Sequence, residues 1–208
     1  MNMEKLKLAE AQFLHQYPGG FDDPEMQVIG KKHPVSKMSD FAQEAFSKKG
    51  FKNPNTLLDD LTKLVSRSSM VSMFEKPKFR DFVASLSQSD RFAMVAGYKK
   101  LFYGNQKTGF NAILDLLSDG KLARWSLMTI PLIYFDLENE VFVKPTTAKA
   151  IINQLELNEL IYKPRPSWEF YEKFRSTIID MKGLVDPSLS PNNAAFTGFL
   201  MMSFSSTK

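Results

Sequence analysis

The chain has 208 residues, 43 % hydrophobic and 24 % charged, which suits one globular domain over residues 1–208 with a core of its own. It holds no cysteine, which excludes disulfides, a thiolate nucleophile, Cys-based zinc sites and iron–sulfur clusters. The formal charge of +4 is uneven: residues 31–80 carry eleven Lys and Arg against five Asp and Glu, and the remainder sixteen against eighteen.

Helix-period apolar runs separated by Pro, Gly and Asn fill the chain. Leu6, Ala9, Phe13 and Leu14 mark one face of an opening helix that stops at Tyr17-Pro-Gly-Gly20. The opening residues are charged, without the apolar core of a signal peptide. Asp23-Pro24 supplies the cap and first turn of a short second helix. Residues 36–48 repeat Met38, Phe41, Ala42, Ala45 and Phe46 at threes and fours, and Asn53-Pro54 starts a helix striped by Leu57, Leu58, Leu61, Leu64 and Val65.

Ser87-Gln-Ser-Asp90 resembles a capping box ahead of Phe92, Val95, Ala96 and Phe102. Gly104-Asn105 ends that helix, and residues 108–118 form the next. The stretch from Trp125 to Phe135 is almost continuously apolar. It reads either as a buried helix bent at Pro131 or as a strand pairing with Val141-Phe-Val143. Pro145-Thr146 and Ser167 open two further helices. Ser190-Pro191 caps a last one over residues 192–203, apolar all round and therefore core or an oligomer interface. The predicted fold is mainly α: a compact bundle of about eight to ten short helices, with a small β-hairpin near residues 132–143 as the one place for β-structure.

Chemistry-bearing groups are sparse. The two histidines, His15 and His33, have no Gly-x-Ser-x-Gly elbow to serve and no zinc spacing to join. Asp22-Asp23 and Asp59-Asp60 place adjacent carboxylates in divergent directions, so no metal is expected. Asp136, Glu138, Glu140 and Lys144 have roughly the residue types of a nuclease strand. Three residues rather than one separate Glu140 from Lys144, and an acidic turn explains them equally well. Nucleotide-binding glycine loops are missing, and no cofactor is expected.

Surfaces remain. Lys63, Arg67, Lys76, Lys78 and Arg80, interleaved with Ser66, Ser68, Ser69 and Ser72, mix cations and hydroxyls suited to phosphate oxygens. A second cluster sets Lys144, Lys149, Lys163 and Arg165 beside Tyr162 and Trp168, aromatics able to stack on bases. Either set reads also as an ordinary solvated face or a Pro-rich turn.

Tyr17-Pro-Gly-Gly-Phe21, Trp125 with Thr129 and Pro131, Phe142-Val-Lys-Pro145, and Tyr162 with Pro166, Trp168 and Tyr171 together resemble a family of uncharacterised bacterial proteins. These are fold determinants, so the resemblance implies no activity, cofactor or site.

The sequence thus points to a cytoplasmic, non-enzymatic binding or interaction module, its partner another protein or a second copy, and no membrane. One alternative is nucleic-acid binding through the basic segment 31–80. The other is an enzyme whose site is assembled from His33, Asp22, Arg67, Arg124 and Lys144.

Overall fold

The structure is a computed structural model, and it describes residues 1–204. Eleven α-helices run through the described residues: α1 Met3–Gln16, α2 Pro24–Gly30, α3 Val35–Ala45, α4 Pro54–Arg67, α5 Glu75–Ser85, α6 Gln88–Tyr103, α7 Gln106–Asp119, α8 Trp125–Phe135, α9 Pro145–Gln154, α10 Trp168–Lys182 and α11 Asn193–Phe204. Three single turns of 3-10 helix join them, at Gly20–Asp22, Gly50–Lys52 and Pro187–Leu189.

Local chemistry sets most helix starts. The side chains of Asp23, Asn53, Ser87 and Ser167 each accept a hydrogen bond from a first-turn backbone N–H, at Glu25, Thr56, Asp90 and Phe170. Each satisfies a donor that has no partner inside the helix. The last helix begins slightly later than its sequence suggests. Asn192 rather than Ser190 supplies the capping oxygen, to Ala195 N at 2.9 Å.

Helix α8 is the spine of the fold. Its ten residues from Trp125 to Tyr134 are all buried, and it packs against α3, α4 and α7. Helix α11 packs against α1, α9 and α10, with Phe196, Phe199 and Leu200 buried, so the described chain itself covers much of this apolar helix. Phenylalanines fill the space between. Phe13 meets Phe199 edge-on at 5.3 Å, and Phe46 stacks on Phe102 at 5.3 Å.

The hairpin expected near residues 132–143 does not form, and the described residues contain no strand. Residues up to Phe135 belong to α8, and Asp136 accepts the N–H groups of Glu138 and Asn139 to close a turn. The segment 140–144 is neither helix nor strand. Side chains satisfy its backbone instead. Val143 N donates to Thr129 Oγ1 at 3.0 Å, Val141 N to Tyr171 Oη at 3.3 Å, and Asn193 Nδ2 donates to the carbonyls of Glu138 and Glu140. A buried backbone needs partners, and three helices provide them.

A polar knot beneath this segment locks it to the bundle. Glu140, with a side chain 6 % exposed, accepts through both its oxygens: from Arg175 Nη1 at 2.9 Å, from Tyr171 Oη at 2.6 Å and from Gln106 Nε2 at 2.6 Å. Arg175 in turn lies 5.5 Å from the ring centres of Trp168 and Tyr171.

Burial, and then the neighbouring Glu140 carboxylate, push the Tyr171 phenol well above its ordinary range; burial alone raises Tyr98. Both phenols hold their protons more tightly when folded than when unfolded. Stability from them is therefore complete below the unfolded value of about 10 and lost as pH rises beyond it. Unfolding followed by circular dichroism should show stability falling above that pH. Y98F should flatten the fall, since its ring keeps the packing and loses the ionising group. An equally steep fall in Y98F would refute the assignment for Tyr98.

The Tyr17-Pro-Gly-Gly-Phe21 motif is a structural corner. Gly20 has φ 58°, and a Cβ there would stand 2.6 Å from the Ser188 carbonyl oxygen. Only glycine combines that backbone with that approach.

Candidate anion-binding cleft

Helix α7 ends in a tight closure. Leu122 N donates to Leu117 O at 2.6 Å and Lys121 N to Ser118 O at 2.9 Å. This six-to-one and five-to-two pattern requires a left-handed residue, a position that glycine usually takes. Here Lys121 takes it, at φ 56°. Three residues on, Arg124 precedes α8 in an extended conformation, and its side chain makes no cap bond. Trp125, the first residue of α8, donates its indole N–H to Lys163 O at 2.8 Å. That bond draws residues 163–166 across the start of the helix.

These three features enclose an open cavity of about 390 Å³ lined by Ser118, Lys121, Ala123, Arg124, Pro164 and Arg165. Ser118 Oγ is committed as a donor to Leu114 O at 2.6 Å, so recognition in the cleft falls to the cations. Among the described residues, no ion pair or side-chain hydrogen bond engages Lys121, Arg124 or Arg165. Three positive charges share a concavity with no carboxylate in its wall.

A second left-handed residue provides a comparison within the same chain. Glu156, at φ 54°, closes α9 in the same way, with Leu157 N donating to Ile152 O at 2.9 Å. Its side chain ties α9 to α1, accepting from Lys5 Nζ at 3.0 Å and from Asn2 Nδ2 at 3.1 Å. Those bonds hold its carboxyl below the usual range. The cavity it lines, of about 340 Å³, also contains the paired Glu159 and Lys173. Charge there is compensated, whereas at Lys121 it is not.

Several members of the first predicted cluster have partners within the fold. Lys63 pairs with Asp60 at 2.9 Å, Arg80 with Asp81 at 2.9 Å, and Arg67 lies over the Phe41 ring at 5.8 Å. Three of its four hydroxyls are engaged within the fold. Ser68 is buried against Tyr134 Oη at 3.0 Å, Ser69 meets His33 Nδ1 at 2.8 Å, and Ser72 Oγ accepts from Phe74 N. Among the described residues, Lys76 and Lys78 have no ion pair.

The second cluster divides. Lys149 lies over Tyr162 at 5.8 Å, but Trp168 is buried against Phe110 and Arg175 and presents no face for a base. Lys144 Nζ rests 3.7 Å from Met201 Sδ. Lys163 contributes its carbonyl to Trp125, and Arg165 alone of this set reaches the cleft. Of His33, Asp22, Arg67, Arg124 and Lys144, only Arg124 lines either cavity. The acidic residues near the end of α8 part as well. Glu138 pairs with Lys182 while Glu140 turns inward. No group of three or more His, Asp or Glu among the described residues is placed to hold a metal. No helix among them is long and apolar enough to cross a membrane.

Lys121 escaped sequence reasoning. The signal for it is a lysine directly after the glycine that ends an apolar-striped helix, which becomes meaningful only once the closure is known to be left-handed at that residue.

Fold and cleft together define an all-α protein carrying three uncompensated cations in one concavity. No family model, no curated protein and no solved structure matches the chain, so the family resemblance of its Pro, Gly and aromatic motifs rests on those motifs alone.

Proposed function

We propose that the protein is a non-enzymatic binding module whose ligand carries a phosphate group, held by Lys121, Arg124 and Arg165. The observation that carries this reading is Lys121. A lysine in a left-handed conformation costs about 1–2 kcal/mol relative to glycine, and its side chain returns none of that to the fold through an ion pair or hydrogen bond. Glu156, under the same backbone cost, makes two bonds to α1 and its cap. Two guanidinium forks and an ammonium match the three oxygens and the double charge of a phosphate monoester better than a single carboxylate.

The variant K121G separates ligand binding from folding. It should raise thermal stability, by about 1 kcal/mol, while weakening pyrophosphate binding measured by calorimetry about ten-fold. R124A/R165A should abolish the binding and leave the helical circular dichroism spectrum unchanged. Three contacts also predict a shallow salt dependence, unlike the steep one of a long polyanion track. Pyrophosphate affinity unchanged in K121G, or stabilisation by pyrophosphate retained in R124A/R165A, would rule the reading out.

A further inference from the structure

Met73 and Phe74 are 82 % and 83 % exposed, more than any other large apolar side chains among the described residues. They are consecutive, in a chain that buries most of its other phenylalanines. Their position is held firmly: Ser72 O accepts from Glu75 N and Lys76 N, and Ser72 Oγ accepts from Phe74 N at 3.3 Å. Val71 and Phe79 are buried on either side, so the pair projects from a turn anchored at both ends.

The residues that flank the pair in sequence are mostly basic. Glu75 is the only acid between Arg67 and Arg80, and it faces inward, accepting from Ser126 Oγ at 2.7 Å. Lys76 and Lys78 have no ion pair among the described residues. The other exposed uncharged residues of the turn are Ser72 and Pro77, so the turn itself adds no further large apolar side chain to the pair. A protein interface of ordinary size needs about 800 Å² per partner with an apolar centre, and two protruding side chains followed by two lysines do not by themselves supply it. A second copy meeting the same patch would bring like charges together. A bilayer with acidic headgroups asks only for a few apolar side chains at acyl depth and cations at the surface.

We infer that the Met73–Phe74 turn, with Lys76 and Lys78, docks the protein reversibly on an anionic lipid surface. The contact reaches into one leaflet and needs no spanning helix. The sequence-based expectation of no membrane rests on the lack of a spanning segment, and no helix among the described residues is long and apolar enough to span one; a contact with one leaflet is a separate matter. It stands apart from the anion cleft, which uses different residues.

The test is sedimentation of the full chain with vesicles of phosphatidylcholine alone and of phosphatidylcholine mixed with phosphatidylserine. Binding should require phosphatidylserine and decline with salt. M73S/F74S should lower the partition coefficient by about ten-fold or more, and K76E/K78E by a similar factor. M73S/F74S should bind pyrophosphate like the parent chain, since neither residue lines the cleft, so that failure of the cleft reading and failure of this one are distinguishable. Absence of binding to the mixed vesicles, or undiminished binding by M73S/F74S, overturns the inference. So does light scattering that shows a dimer dissolved by M73S/F74S, because a second copy would then cover the pair.

Discussion

Replacing Arg175 with methionine is expected to destabilise the fold by about 3 kcal/mol, the low end of the range for breaking a buried ion pair. The low end applies because the Arg175 side chain keeps 18 % exposure while Glu140 keeps only 6 %. Methionine retains the apolar stem against Trp168 and Tyr171, so the loss reports the charge and its hydrogen bonds. Glu140 is then left as a buried carboxylate with no cation, although Tyr171 and Gln106 still donate to it. Urea unfolding of R175M and of E140Q/R175M checks this. The double variant removes the orphaned charge but preserves an acceptor for Tyr171 and Gln106, so it should be the more stable of the two. A double variant less stable than R175M would mean that the knot is held by something other than charge compensation.

The second large effect is steric. Helices α6 and α7 cross where Gly109 faces Gly97 and Leu101. A Cβ on Gly109 would overlap the backbone nitrogen of Leu101 and stand 2.7 Å from Gly97 O. Backbone cannot rotate out of the way, so the helices must separate, and G109A should cost about 3 kcal/mol. Gly97 is the control. Its Cβ would meet the Ile113 side chain at 3.0 Å and Ala112 Cβ at 3.6 Å. A side chain can adjust, and alanine gains about 1 kcal/mol of helix propensity over glycine. G97A should therefore leave the thermal midpoint nearly unchanged while G109A lowers it sharply. Equal effects would show that the crossing is looser than its geometry implies.

Several parts of this architecture are readable from the residues because the forces that set them act within one helical turn. Asp23-Pro24, Asn53-Pro54, Ser87 and Ser167 announce their helices, since a cap and the donor it satisfies lie two or three residues apart. The stripe of Leu57, Leu58, Leu61, Leu64 and Val65 is one face of α4, and all five are buried. Helix α5 is harder to read. Only Phe79 and Val83 are buried along it, too few to mark a period, and its hold comes from packing on α4.

The stretch from Trp125 to Val143 shows where periodicity ends. Ten consecutive buried residues leave no polar face to count from, and helix and strand then look alike. The choice was made by Thr129, Tyr171 and Asn193. Their polar atoms satisfy residues 138–143 across gaps of fourteen to fifty-five positions, so no second strand was needed.

The sequence by itself determined the helical class, most helix starts, the lack of thiol chemistry and the uneven distribution of charge. All of these follow from composition or from interactions between near neighbours. Tertiary structure alone decided which charges stay unpaired. Lys63 and Arg80 find acids beside them on their own helices, while Lys121, Arg124 and Arg165 are brought together by a helix closure and by the Trp125–Lys163 bond spanning thirty-eight positions. Electrostatic compensation depends on distance in space, and local pattern carries no information about that distance until the chain has folded.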